Sequence, residues 1–143
     1  MVALVLVIIA AMGALLFAAF NFMKVKSMEE GTDKMAEVAA AIRVGANAFI
    51  VYEYKIIAIV VAVVAVLFIF MAWQSAICFV IGVVMSALAG WVGMKIATYA
   101  NVRVSNTARM TKNIGETLKV AFRGGSVMGL SVGGFALLGL FIV

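Results

Sequence analysis

The chain has 143 residues, of which 67% are hydrophobic and only 12% charged, with a mean hydropathy of +1.25. Soluble domains carry roughly 45–50% apolar and about 25% charged residues, so this composition leaves too little polar surface for a water-soluble fold and places the chain in a bilayer. The net charge of +5 does not mark a nucleic-acid binder, because the basic residues gather at the edges of apolar runs rather than in one patch.

The first apolar stretch, 2–23, is long enough to cross the hydrocarbon core as a helix. No basic segment precedes it, and Lys24 and Lys26 follow it. That is the pattern of a transmembrane helix rather than a cleaved leader. Thr32 and Asp33 form a helix start. Beyond them Met35, Val38, Ala39, Ile42, Ala46, Phe49 and Ile50 recur at three- and four-residue spacing. No strong stop signal follows before Ala72, so this helix is expected to begin outside the membrane and run on through a span at 56–72. At 1.5 Å per residue it would be about 60 Å long, against a core of about 30 Å.

The apolar region continues to Met94, too long for one crossing. Its only polar interruption, Trp73-Gln74-Ser75, predicts a tight turn, with the third span at 76–98. Asn113, followed by Glu116 three positions on, predicts a helix N-terminus of the capping-box kind, leading into a fourth span at 124–143. The stretches 24–55 and 99–123 are then the loops between spans. All eleven Lys and Arg fall in two groups, Lys24 to Lys55 and Lys95 to Arg123. By the positive-inside rule both loops face the cytoplasm and both ends of the chain face outside. The expected fold class is all-α: a polytopic membrane protein with four transmembrane helices, part of a larger bundle.

The chemistry is marked mainly by what is missing. There is no His, Cys78 is alone, and the six acidic residues, Glu29, Glu30, Asp33, Glu37, Glu53 and Glu116, are all assigned away from the middle of a span. Carriers and proton relays place an ionisable group at depth, which disfavours a rotary-ring proteolipid and a small drug exporter. Lys95 is expected to snorkel to the interface. The run Lys95, Arg103, Arg109, Lys112, Lys119 and Arg123 could hold phosphate as point charges, but it is better read as enforcing topology and meeting anionic lipid. Gly125, Gly129 and Gly133 on the fourth helix, with Gly124 and Gly134 beside them, and Ser86 and Gly90 on the third, are small residues of the kind that let helices approach closely in lipid. They are the candidate site residues, for helix packing; catalytic, cofactor and metal ligands are assigned to none. Leu137 to Val143 is still apolar, with no basic or aromatic anchor after it, so the chain is expected to be a piece of a longer protein.

Three stretches carry a family resemblance: Ile42–Phe49 (IRVGANAF) leading to Tyr52–Lys55, Gly90–Thr98 (GWVGMKIAT) followed by Ala100–Ser105, and Leu118–Phe122 leading to Gly124–Gly134 (GGSVMGLSVGG). In this order they resemble the first helices of membrane-bound, ion-translocating inorganic pyrophosphatases. The resemblance implies about sixteen transmembrane helices, a homodimer, and hydrolysis of pyrophosphate at the cytoplasmic side of the cell (inner) membrane with export of H⁺ or Na⁺. It implies Mg²⁺ as cofactor, with K⁺ or Na⁺ as further ions, and aspartate-rich motifs on later helices that this sequence does not contain. The four helices here would be part of the outer ring, packed against the remaining helices of the same protein and against lipid. The competing expectation is a small four-helix scaffolding or assembly protein without catalytic activity.

Overall fold

A computed structural model describes residues 2–143, apart from the side chain of Ala3. Four helices make up the described chain: α1 (Val2–Lys26), α2 (Asp33–Met71), α3 (Trp73–Thr111) and α4 (Ile114–Ile142). Each is long and apolar enough to cross a membrane. α2 and α3, with 39 residues each, are about 58 Å long at 1.5 Å per residue, so both outrun a core of about 30 Å.

Each helix end has a local cause. Thr32 caps α2, its hydroxyl accepting from the Met35 N–H at 3.4 Å. Asp33 adds negative charge to that first turn, where the helix dipole favours it. α3 ends in Lys112, whose left-handed backbone (φ 50°, ψ 25°) closes the turn onto the Ala108 carbonyl. Asn113 caps α4 by accepting from the N–H groups of Gly115 and Glu116. The return half of the expected capping box is not formed, because the Glu116 carboxylate pairs with Lys119 at 2.6 Å instead.

Two expectations shift. The turn between α2 and α3 is not Trp73-Gln74-Ser75 but the single residue Ala72, extended at φ −163°, ψ 117°. Its carbonyl accepts from the N–H groups of Ser75 and Ala76, which draws Trp73, Gln74 and Ser75 into the first turn of α3. At the other end, α3 does not stop near Thr98 but runs to Thr111. The hydroxyls of Ser105, Thr107 and Thr111 each donate to the carbonyl four residues back, so these polar residues are satisfied inside the helix and the stretch between 98 and 114 narrows to Lys112–Asn113.

Neighbours in space follow the order α2–α3–α4–α1, with a lighter contact of α1 on α3; among the described residues α1 and α2 do not pack together. Buried positions on α3 (Ala89, Gly93, Ile96, Ala100, Arg103) and α4 (Val120, Gly124, Val127, Ser131, Gly134) step by four and three, and Ala11, Ala18 and Val25 of α1 step by seven. This is the spacing of helices that cross at shallow angles with interlocking side chains. The core of Ala18, Val25, Ile96, Ala100 and Val127 is built from small and β-branched side chains. The large apolar residues, Phe70 at 84% exposure among them, point outward, as lipid rather than water would allow.

Candidate functional site at the charged end of the bundle

Since α3 stands between α1 and α2, the Ser27–Thr32 connection must pass over α3, and it does so at Arg103. This arginine is 4% exposed. Its Nε donates to the Met28 carbonyl at 2.9 Å, Nη2 to the Lys26 carbonyl at 2.8 Å and Nη1 to the Tyr99 carbonyl at 2.9 Å. The last carbonyls of α1 are thereby all paired: Met23 with the Ser27 N–H, Lys24 with the Ser27 hydroxyl, Val25 with the Met28 N–H, and Lys26 with Arg103. A helix C-terminus leaves four such acceptors, and a cation there also meets the negative end of the helix dipole.

Glu30 completes the clamp. Its carboxylate takes a two-pronged pair from Arg43 of α2, at 2.7 and 3.0 Å, and lies 3.2 Å from Arg103. The forked hydrogen bond from Arg43 outweighs partial burial and holds the Glu30 carboxyl below its ordinary range; the same contact pushes the Arg43 guanidinium up. Tyr99 lies among the cations, with Arg43, Arg103 and Lys26 at 5.1, 5.5 and 5.8 Å from its ring centre, inside the range where the ring face attracts positive charge. Asn106 donates to the Glu29 carbonyl at 3.4 Å. Gly31, at φ +98°, lies so close that a Cβ would come within 2.7 Å of the Asn106 side-chain oxygen, so both backbone and space require glycine there.

This cluster holds helices together. Every buried side-chain nitrogen and oxygen among the described residues has a partner. No group of three or more His, Cys, Asp or Glu converges among the described residues, and the central carboxylate, Glu30, is already held by two arginines. The residues present do not fit Mg²⁺.

The basic run of the sequence does not converge either. Lys95 donates to Asn47 at 2.7 Å and lies over the Trp91 ring; Arg109 bonds Asn106, and Lys119 pairs with Glu116. Arg103 is a correction: its burial removes it from any lipid or phosphate surface. The signal was present, since Arg103 continues the four-three spacing of Ala89, Gly93, Ile96 and Ala100.

The candidate packing residues divide. Gly90 abuts Tyr54 of α2, with room of 3.4 Å at its missing Cβ, and Tyr54 donates to the Ala87 carbonyl. Ser86 is exposed beside it. Gly125, Gly129 and Gly133 have nothing within 4 Å of a built Cβ and pack against none of the other described helices. The close contacts are made by Gly124, where a Cβ would lie 2.8 Å from that of Ala100, and Gly134, where one would lie 2.7 Å from the Leu15 side chain. The four-three rhythm of α4 selects these two and rotates the four-step glycines outward. Deeper in the bundle, Asn21 of α1 donates to the Ser126 hydroxyl at 3.2 Å, a buried polar link to α4.

A family profile described as inorganic H⁺ pyrophosphatase matches residues 12–143. The chain belongs to that family. It is 58% identical over 131 residues to a K⁺-stimulated pyrophosphate-energized sodium pump of Thermotoga maritima, covering 91% of this chain and 18% of that protein. It is 43% identical over 129 residues to a K⁺-insensitive pyrophosphate-energized proton pump of Moorella thermoacetica (89% and 19%), and 39% identical over 134 residues to one of Methanosarcina mazei (92% and 20%). The chain thus spans about a fifth of the length of these inorganic pyrophosphatase relatives. The all-α fold with four membrane-crossing helices agrees with the expectation from sequence, and a free-standing scaffolding protein is not favoured.

Proposed function

We propose that these helices are the first part of a pyrophosphate-energised cation pump, in which they form part of an outer layer around catalytic helices lying beyond residue 143. The single observation that carries this reading is the family match across residues 12–143, joined to relatives whose names describe sodium or proton pumping driven by pyrophosphate. The whole protein would hydrolyse pyrophosphate at the cytoplasmic side and export H⁺ or Na⁺. Mg²⁺ would be bound by residues outside this chain, and K⁺ is a candidate activator because K⁺ stimulation is named for the Thermotoga relative.

In this reading the charged end of the bundle is cytoplasmic, both ends of the chain lie outside, and the location is the cell membrane. Two copies of the whole protein would pair as a homodimer. The outward face of α4, with Gly125, Gly129 and Gly133, together with Ser86 and Gly90 of α3, would receive the remaining helices; small residues permit close approach where lipid supplies no hydrophobic drive.

The test is phosphate release from pyrophosphate by membranes carrying the product of the full open reading frame, with Mg²⁺, Na⁺ and K⁺ varied. Mg²⁺-dependent release is expected, and its response to Na⁺ and K⁺ would indicate which cation is moved. A correctly inserted product that releases no phosphate would overturn the proposal.

A further inference from the structure

α1 and α4 pack antiparallel: Leu15 lies against Gly134 and Asn21 donates to the Ser126 hydroxyl. Lys24 stands three residues beyond Asn21, and Arg123 three residues before Ser126. Both therefore lie about 4.5 Å past that hydrogen bond, toward the charged end and at one level on neighbouring helices. Side chains three apart share a helix flank, so the two cations stack over the Asn21–Ser126 pair. The first span is expected to end at 23 and the fourth to begin at 124, which puts both charges at the hydrocarbon boundary.

Neither cation joins an ion pair among the described residues. The acids lie elsewhere. Glu29 and Glu30 are carried across α3 by the connection, where Arg43 and Arg103 hold Glu30. Asp33, Glu37 and Glu53 belong to α2, which packs on neither α1 nor α4. Glu116 is about 10 Å farther out along α4 and pairs with Lys119. Two positive charges thus share one seam at the edge of the hydrocarbon with no carboxylate of this chain to balance them.

Below Lys24 the flank turns apolar. Phe20 is four residues back, with the Lys24 ammonium 5.7 Å from its ring centre, and Phe17 stacks on Phe20 at 6.4 Å. Both residues are more than half exposed. Cations at the boundary above a pair of rings match a lipid, with its phosphate at the charges and its acyl chain along the rings. A further helix is the poorer occupant, since the open glycine face of α4 looks the other way: Gly125 is two residues from Arg123 and so points about 200° around the helix.

We propose that Lys24 and Arg123 bind the phosphate of an anionic glycerophospholipid at the α1–α4 seam, with an acyl chain against Phe17 and Phe20. A headgroup of net negative charge is favoured over a zwitterionic one, because the ammonium of the latter brings another cation to a seam that already holds two. The site depends on the four membrane-crossing helices and not on the pump reading.

The test places p-benzoylphenylalanine at Phe20 of the full-length protein in vesicles of equal parts phosphatidylglycerol and phosphatidylcholine. Adducts are identified by mass spectrometry after irradiation. Leu6, exposed and about 21 Å nearer the other surface on the same side of α1, carries the label as reference. Phosphatidylglycerol is expected to exceed phosphatidylcholine at Phe20 but not at Leu6, each cation contributing about a fivefold preference. Lys24→Gln/Arg123→Gln should return the Phe20 ratio to that of Leu6. A Phe20 ratio within twofold of the Leu6 ratio, a preference that survives the double substitution, or an adduct with protein overturns the proposal. The preference should persist in excess inorganic phosphate; its loss there marks a site for free anion and overturns the lipid assignment. If the Phe20 variant does not insert, native mass spectrometry of the unlabelled protein decides. Lys24→Gln/Arg123→Gln should then retain one phosphatidylglycerol fewer per subunit than the parent, and equal retention overturns the proposal. Phosphate release from pyrophosphate bears on the pump reading alone, so the two readings fail separately.

Discussion

Replacement of Arg103 by alanine tests the role of the clamp directly. The side chain makes three hydrogen bonds to carbonyls on α3, α1 and the connection, and lies 3.2 Å from Glu30. Removing it strands the Lys26 and Met28 carbonyls and leaves Glu30 with Arg43 alone. Breaking a buried charged contact of this kind costs about 3–5 kcal/mol. Because the contacts hold the Ser27–Thr32 connection onto α3, the loss should show first as local opening of that segment. At about 1.4 kcal/mol per decade, and with reclosing faster than cleavage, tryptic cleavage at Lys26 and Lys34 should accelerate by roughly two to three and a half orders of magnitude. Arg103→Lys keeps the charge but cannot serve three carbonyls from one fork, so it should lie between Ala and the parent. Arg109→Ala, at an exposed position, is the control and should change little. Cleavage of Arg103→Ala within twofold of the parent, with an unchanged thermal midpoint in detergent, would refute the clamp.

The pH dependence has a definite sign. The native pKa of Glu30 lies below its ordinary value of 4.5, so its contribution is fully present above about pH 4.5 and is lost as the pH falls through the lowered native value; the thermal midpoint of Glu30→Gln should lack this acid-side fall. Gly124→Leu should destabilise even this chain alone, since a Cβ would sit 2.8 Å from that of Ala100, at a cost of about 1–3 kcal/mol. Gly125→Leu, with open space around it, should be neutral in the chain alone and costly only in the full-length protein; equal effects in both would count against an outer docking face. Asn113→Ala should cost about 1 kcal/mol of stability through loss of the α4 cap, read as a lowered thermal midpoint.

Much of the architecture was legible because membrane helices must satisfy their backbones internally, which makes apolar length a direct signal. Helix starts were legible at Thr32 and Asn113, where the capping chemistry lies in adjacent residues. Polarity puts the chain reversal one to three residues late, at Trp73-Gln74-Ser75, whereas one extended alanine, Ala72, makes the turn. Arg103 was misread for a different reason. Sequence gives the charge of a residue but not its depth, and depth depends on which helices are neighbours. Only the placement of α3 between α1 and α2 turns one cation of a basic run into a buried cap. The glycines of α4 show the same limit: every small residue offers close approach, and the four-three packing rhythm decides that Gly124 and Gly134 are used while Gly125, Gly129 and Gly133 face outward.

The spatial order α2–α3–α4–α1 is an open row rather than a closed bundle. A closed four-helix bundle would bury one stripe on every member, yet α2 touches α3 alone, and its apolar residues Ile56, Val60, Val63, Leu67 and Phe70 all remain exposed. Lipid can cover such residues without cost, but it gives no reason for glycines at 125, 129 and 133, where larger apolar side chains would serve a lipid face equally well and favour the helix more. In the proposed reading, further helices packed on this face of α4 would account for them. The clamp at Arg103 and Glu30 then has a clear purpose in the row: it fixes the order of α1, α3 and α2 at the charged end, so that the outward faces of α3 and α4 are presented in a set register to whatever packs against them.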